Sequence, residues 1–404
     1  MSQLPPIPRA PGRLSHAWAL WLKGSILLAF LAASSAPSPL YAIYREAWGF
    51  SAFTLTVVFS SYALAMLAAL LVFGALSNHR GRREVVLASI ALELVAVLLF
   101  WSADSVAWLL AARVLQGVAT GMATSALGAG LLDLHRERGA LVNAVAPMVG
   151  LGVGALGTSA LVQFAPAPTQ LVFDLLLIVF GVLAVAAFYL PETVERRAGA
   201  WRSLRPSFTI PARARTTMWQ ILPINTAQWA LGGFYLSLGP TLARVATGSS
   251  VPLIGGALIA ALVLSSALTI ALMRQSAPRS ALLTGAAGLV VGVSLAMAGV
   301  QLHSTAPLFV GTVIAGLGFG AAFSGSIRSL VPLAAPLERA GLMSGFFVLS
   351  YLAFSLPAIA AGLLVGQFGL QSIALGYGFA LVLMAGAAGL AIWLRGSAAV
   401  AAAT

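Results

Sequence analysis

The stretch FTLTVVFSSYALAMLAALLVFGALSNHRGRREVVLASIALELVAVLLFW, residues 53–101, sets two long apolar runs on either side of one short basic loop. Runs of about 18–25 residues are long enough, as helices, to cross the ~30 Å hydrocarbon layer of a bilayer. Inside that layer every backbone N–H and C=O needs a partner within its own segment, so an apolar run of this length reads as a helix. A membrane β-barrel would instead show alternating segments of about ten residues, and the stretch contains none. Two membrane helices, at 53–76 and 84–101, are therefore predicted.

The same pattern fills the chain on both sides. Further helices are predicted near 18–38, 106–131, 141–164 and 169–190, then near 218–240, 252–273, 281–301, 307–331, 341–364 and 372–394. The expected fold is an all-α membrane protein, with twelve transmembrane helices in two six-helix bundles at residues 1–190 and 218–404. Residues 191–217 join them as a polar, arginine-rich linker in which Pro206 and Pro211 forbid a long helix. Hydrophobic residues make up 60% of the chain and charged residues 8%, where soluble domains carry about 25%. The absence of cysteine excludes disulfides, thiol catalysis and cysteine metal sites. Arg9, Arg13 and Lys23, ahead of an apolar stretch ending at Ala32-Ala33-Ser34-Ser35-Ala36, imitate a cleaved signal. The stretch is long enough to span, and its removal would leave an odd helix count, so it is kept as the first span.

Charge distribution sets an expected orientation. With the N-terminus inside, only Arg45 and Arg244 of the 22 Lys and Arg residues fall in outer loops, and Arg113 falls within a helix. The rest lie on the inner side, as the positive-inside rule requires. A multi-pass protein of the cell inner membrane with both termini cytoplasmic is expected. The +12 net charge is thereby explained by topology, and no nucleic-acid partner is expected. Trp18, Trp21, Trp219 and Trp393 mark the inner interface, and Trp48, Trp101 and Trp108 the outer one. Trp201 is in the linker, and Trp229 alone sits near mid-membrane.

The two bundles share an internal repeat. Glu137-Arg138-Gly139-Ala140-Leu141 returns as Glu338-Arg339-Ala340-Gly341-Leu342, an offset of 201 residues, each time opening a fifth helix. Gly117 and Gly121 match Gly316 and Gly320 at an offset of 199 residues. Parallel duplications of this kind occur in transporters with a site between the halves.

The loop of the opening stretch, Gly74-Ala75-Leu76-Ser77-Asn78-His79-Arg80-Gly81-Arg82-Arg83, resembles in register the G-x-L-x-D-R-x-G-R-R loop of the major facilitator superfamily. Arg113-Val114-Leu115-Gln116-Gly117 in the fourth span resembles that superfamily's R-x-x-Q-G element. The first-half motifs look most like those of bacterial efflux-type members. The resemblance implies a secondary transporter whose first, fourth, seventh and tenth spans line a central cavity, and whose loop residues Gly74, Asn78, Gly81, Arg82 and Arg83 control conformation. Asn78 stands where the family carries an aspartate that helps hold one conformational state, so the usual charge is missing. The fifth span has Gly150, Gly152, Gly154 and Gly157, similar to the glycine-rich fifth helix of antiporters, but its proline is the earlier Pro147.

Helical spacing is compatible with the implied cavity. Arg113, Gln116, Gly117, Thr120, Gly121 and Thr124 share one face of the fourth span, and Asn225, Gln228, Trp229, Gly232 and Tyr235 one face of the seventh. Ser34 and Ser35 are added by the first. Small and polar residues also serve plain helix packing. Packing is the favoured role for the glycines, and the cavity for Arg113, Gln116, Asn225 and Gln228. Away from the inner helix ends, three charged residues are candidates for intramembrane charge: Arg113, Glu93 and Asp174. Such groups are costly in a bilayer and usually functional. Glu93 and Arg113 lie at similar depth, which permits a pair without establishing one. Family architecture makes the third and sixth spans peripheral, which favours a structural role for Glu93 and Asp174. They are nonetheless the only intramembrane acids available for the proton coupling that the resemblance implies.

No stretch resembles G-x-x-x-x-G-K-[ST], so ATP hydrolysis is not expected. The leading expectation is a non-enzymatic, cofactor-free monomer that exports a small, partly apolar organic solute by alternating access. An uptake carrier or facilitator for a polar or anionic metabolite is the alternative. A membrane-embedded enzyme or sensor is disfavoured by the lack of intramembrane histidine, cysteine or paired carboxylates.

Overall fold

The computed structural model describes residues 14–204, 208, 210–335 and 338–401, with side chains through Leu394. Arg9, Arg13 and Pro206 lie outside the described residues. The first half comprises α1 (His16–Ser35), α2 (Pro37–Trp48), α3 (Ala52–Phe73), α4 (Ser77–Arg80), α5 (Arg82–Trp101), α6 (Val106–Leu134), α7 (Arg136–Phe164) and α8 (Pro168–Ala187). The second comprises α9 (Ala212–Ser237), α10 (Gly239–Thr247), α11 (Pro252–Leu272), α12 (Pro278–Gln301), α13 (Thr305–Leu330), α14 (Arg339–Phe368) and α15 (Leu370–Ala401). No strand occurs among the described residues.

Eleven of the described helices are long and apolar enough to cross a membrane, α1 and α2 counting as one continuous span. The twelfth span is α9, 26 residues long. Gln220, Asn225 and Gln228 dilute its apolar character, as expected of a helix that turns a polar face inward rather than toward lipid. Its first residue, Ala212, precedes the predicted start at 218, because Arg213 and Arg215 extend the helix beyond the apolar segment.

Two predicted ends were too short, at equivalent places in the two halves. The first span was expected to stop at residue 38, yet α2 carries it to Trp48; the seventh was expected to stop at 240, yet α10 continues to Thr247. Proline explains both. Pro37 and Pro240 occupy the first turn of the new segment, where a missing N–H costs no intrahelical bond. The continuation is amphipathic, with Leu40, Tyr41 and Tyr44 buried in α2 and Leu242, Ala243 and Ala246 buried in α10.

The halves meet along two helix pairs, α7 against α11 and α3 against α14. Glycines set the close approaches. A Cβ on Gly256 of α11 would strike Ser159 and the Ala155 carbonyl of α7, and one on Gly362 of α14 would strike Thr56 of α3. Glu46 of α2 and Arg244 of α10, 3.6 Å apart, form the one ion pair that crosses between the halves among the described residues.

The sequence repeat has a packing counterpart. A Cβ on Gly117 or Gly121 would strike α3 at Tyr62 O, Ala65, Met66 and Ala69, while one on Gly316 or Gly320 would strike α11 at Leu262, Ser265 and Ser266. The fourth span thus packs on the second in one half as the tenth packs on the eighth in the other. Gly150 and Gly154 serve the same end against α1, Gly152 faces α11, and Gly157 faces open space. Gly121→Val and Gly320→Val are expected to cost about 1–3 kcal/mol by overpacking, lowering the melting temperature in detergent. Gly157→Ala, with nothing near its Cβ, should melt at or slightly above the parent temperature; equal melting of all three would show that these approaches do not limit stability.

Candidate functional site

The loop that follows α3 is held by carboxylates from elsewhere in its half. Gly81 has a φ of +107°, a conformation that favours glycine. Glu192, beyond α8, accepts from the Arg82 amide at 2.8 Å and the Arg83 amide at 3.1 Å, capping α5 from outside. Arg82 is buried; its Nε donates to Asp133 Oδ2 at 3.2 Å and its Nη1 to Ser77 Oγ at 2.6 Å. Arg83 Nη1 donates to the Phe188 carbonyl at 3.3 Å. Lys23 of α1, also buried, donates to the Gly130 carbonyl at 3.2 Å and lies within the field of Asp133 and Glu192. A Cβ on Gly74 would strike the Leu70 carbonyl. Asn78 takes no part in this lock: it is exposed and lines a cleft between α3 and α14.

In the second half the corresponding turn is fastened with opposite polarity. Arg328, at the end of α13, donates to the carbonyls of Met273 and Ser276. Nearby, Arg213 pairs with Glu338. The Ala335 amide and Arg213 together hold the Glu338 carboxyl below the usual carboxylate range.

Deep in the first half, Arg113 is fully buried. Its Nε donates to the Tyr41 hydroxyl, and its Nη1 donates at 2.7 Å both to the Ser34 carbonyl and to Gln116 Oε1. Gln116 Nε2 in turn donates to the Ala33 carbonyl at 3.1 Å and to Glu93 Oε1 at 3.0 Å. The two charged residues thus meet through an amide; no direct ion pair joins them among the described residues. The guanidinium Cζ lies 5.4 Å from the Tyr41 ring centroid, 5.3 Å from Tyr62 and 5.8 Å from Phe100. Ring faces attract a desolvated cation, and the planar fork satisfies three acceptors at once, as an ammonium could not. Arg113 Nη2 and Glu93 Oε2 remain without hydrogen-bond partners among the described residues.

The second half answers with neutral groups. Asn225 Nδ2 donates to Ser350 Oγ of α14 at 2.9 Å, and Gln228 Nε2 to Asn225 Oδ1 at 3.0 Å. Trp229 packs among Tyr351, Phe354 and Phe323, with ring centroids at 5.1, 5.9 and 6.3 Å. Gln228 Oε1 and Trp229 Nε1 are buried and without hydrogen-bond partners among the described residues.

The predicted site residues therefore separate into groups. Ser34, Arg113, Gln116 and Glu93 form one bonded chain, with Thr120 returning its hydroxyl to the Gln116 carbonyl at 2.8 Å. Asn225, Gln228 and Trp229 form the facing set. Ser35 bonds the Leu151 carbonyl of α7 at 2.8 Å and so serves packing. Tyr235 bonds Thr312 at 2.9 Å within the second half, among residues of α9, α12, α13 and α15. Asp174 lies on the exposed face of α8, apart from the buried chain. Tyr41, Tyr62, Asp133, Glu192, Ser350 and Tyr351 are absent from the sequence-derived set. Only Asp133 and Glu192 carried a signal, as acids at span ends beside a basic loop.

The sequence model described as Major Facilitator Superfamily matches residues 24–348, most of the chain. No curated protein matches the sequence. Among solved structures, the chain is similar to the nucleoside transporter NupG in a mutant form (TM-score 0.72, 14% identity, covering 93% of this chain and 99% of that one). It is also similar to the human organic anion transporter MFSD10 (TM-score 0.67, 18% identity, 93% and 99%). A bacterial homologue of the human lysosomal transporter Spinster, inward-facing and unoccupied, matches with TM-score 0.74 at 14% identity, over 95% of this chain and 98% of that one. At these identities the structures share the fold. The chain belongs to the major facilitator superfamily, and the family and these neighbours are transporters, not enzymes.

Tyr41 holds the Nε side of a buried cation. Tyr41→Phe keeps the ring and removes the acceptor, so a loss of about 1–3 kcal/mol is expected from the orphaned donor. Chemical unfolding monitored by tryptophan emission checks it; an unchanged midpoint would place the Arg113 Nε bond outside the stabilising set.

Proposed function

We propose that this superfamily member exports a small, partly apolar organic solute by alternating access, the Arg113–Gln116–Glu93 chain acting as its proton-coupling element. The observation that carries the reading is the position of that chain: buried charge in one half, faced by an uncharged, amide- and aromatic-bearing half. Charge retained at this cost in a membrane protein is expected to serve the transport cycle. Rocking of the two halves about the α3–α14 and α7–α11 seams would expose the facing groups to one side and then the other.

Gln116 gives the coupling a chemical route. Its amide donates to Glu93 Oε1 while its carbonyl oxygen accepts from Arg113. A proton on Glu93 supplies an O–H donor where the carboxylate had offered only acceptors. That change bears on the orientation of Gln116 and on what Arg113 Nη2 can hold. Glu93 is therefore the proposed proton carrier, and the exposed Asp174 is not. The bias of arginine toward the end holding the Gly74–Arg83 loop supports a cytoplasmic location for that end and for both termini. One observation favours the second reading, uptake of an anionic metabolite: Arg113 Nη2 is an unpartnered cationic donor.

Transport of fluorescent apolar dyes into inside-out and right-side-out vesicles separates the two. Export predicts accumulation in inside-out vesicles driven by an acidic lumen, and uptake predicts the reverse. Glu93→Gln should abolish gradient-driven accumulation by at least about tenfold while dye exchange across equal pH persists, a factor typical of losing one specific coupling group. Asp174→Asn should leave both intact. Full gradient-driven transport in Glu93→Gln would remove Glu93 from the mechanism.

A further inference from the structure

The cleft between α3 and α14 has a volume of about 210 Å³. Its mouth is at Asn78 and Ser203, its walls include Leu70 and Met343, and no charged residue lines it. Leu67 and Phe347 line it as well. Leu67 adjoins Met66 in α3, and the Phe347 ring lies 6.3 Å from that of Tyr351 in α14.

At that position two phenol hydroxyls from different halves converge on one sulfur. Tyr351 donates to Met66 Sδ at 3.2 Å across the seam, and Tyr62, whose hydroxyl also bonds the Ser34 and Thr120 side chains, reaches the same sulfur at 3.5 Å. All three residues are buried. A thioether is a weak acceptor, so the buried Tyr351 hydroxyl obtains less from it than it would from a carbonyl oxygen. Behind Tyr62 lies the Arg113 guanidinium with Nη2 unpartnered, and against Tyr351 lies Trp229 with Nε1 unpartnered. Four donors thus surround the seam. Two unpartnered acceptors, Glu93 Oε2 and Gln228 Oε1, belong to side chains already held by Gln116 and Asn225, and the other unpartnered oxygens among the described residues are hydroxyls, which donate as well as accept.

We infer that this seam is the solute-recognition site, and that it takes an apolar ring compound whose polar end is an acceptor only, a carboxylate or ketone oxygen, which displaces Met66 from the two tyrosines. The inference rests on the transport reading and names its substrate class. An ammonium would bring donors to the unpartnered donors Arg113 Nη2 and Trp229 Nε1. The neutral Asn78 at the mouth suits the same class, since an acid there would repel a carboxylate.

The test is binding of naphthoate, acetylnaphthalene and naphthylmethylamine to the purified full chain, followed by thermal shift against each variant's own unliganded melting temperature. Naphthoate and acetylnaphthalene should stabilise the protein and the amine should not. Tyr62→Phe and Tyr351→Phe should each weaken binding about fivefold, the factor for one net hydrogen bond. Met66→Leu should strengthen it, because the Tyr351 hydroxyl then lacks its sulfur partner until the ligand arrives; a purely structural role for the three residues predicts weakening throughout. Asn78→Asp should weaken naphthoate more than acetylnaphthalene. Equal binding of the amine, tyrosine variants that bind like the parent, weakened binding in Met66→Leu, or no binding by any probe would each overturn the inference. Dye transport that persists in the last case leaves the transporter reading standing, whereas binding without dye transport in either vesicle type would count against that reading alone.

Discussion

A guanidinium cannot shed its charge in a protein interior, and Arg113 is wholly buried. Much of the first half is arranged around that constraint. The Ala33 carbonyl is free to accept from Gln116 because Pro37, four residues on, has no N–H to offer it, and the Ser34 carbonyl beside it accepts from Arg113. Tyr41 reaches Nε because α2 continues where a loop was expected. Tyr41, Tyr62 and Phe100 bring ring faces from three helices. Gln116, three residues on, is oriented by Arg113 on one side and Glu93 on the other. The close approach of α3 that places Tyr62 requires glycine at positions 117 and 121. Glycine spacing, helix break and aromatic placement thus serve one buried cation.

What could be read from the sequence follows the same physics. Apolar length fixes helices because lipid offers the backbone no alternative partner. The shared face of Arg113, Gln116 and Thr120 was readable because helical period is a property of one segment. Rotation of one helix against another is not, so the Glu93–Arg113 pair could be permitted by depth but not established, and the Gln116 amide that joins them went unread. Tyr41, Tyr62 and Tyr351 went unmarked because a tyrosine in an apolar run resembles any other aromatic until its hydroxyl has a partner. The ends at 38 and 240 were misplaced because proline signals a break, whereas at a first turn it permits a fresh start. Ser35 and Tyr235 share sequence faces with cavity candidates, yet their hydroxyls are spent on helix contacts.

The two halves repeat in backbone packing and differ in charge. Gly117 and Gly121 of α6, packed on α3, are matched by Gly316 and Gly320 of α13, packed on α11, and α2 is matched by α10. Against that shared frame, the first half carries Arg113 and Glu93 within its spans, and Asp133 and Glu192 around its loop. The second half fastens its own turn with Arg328 on bare carbonyls and carries no acid within a span. Asn78 follows this division. The lock on the first loop runs through Arg82, Asp133 and Glu192, so the missing charge at Asn78 leaves those bonds intact and changes the mouth of the cleft instead.

Confining charge to one half has a mechanical consequence. If Arg113 and Glu93 stood on opposite sides of the seam, parting the halves would separate two charges in a medium where separation is expensive. Because Arg113, Gln116 and Glu93 all belong to the first half, that chain can move as one body while the halves rock. What crosses the seam is weaker: the Tyr351 hydroxyl on the Met66 sulfur, the Ser60 hydroxyl on the Ser355 carbonyl at 3.4 Å, the Leu253 amide on Gln163 Oε1 at 3.3 Å, and a largely exposed ion pair between Glu46 and Arg244. Contacts of that strength, near 1 kcal/mol or less each, are within reach of a bound solute or a single proton. Strong bonds within each half and weak ones between them are what a rocking mechanism requires, and both follow from where the sequence places its few polar residues.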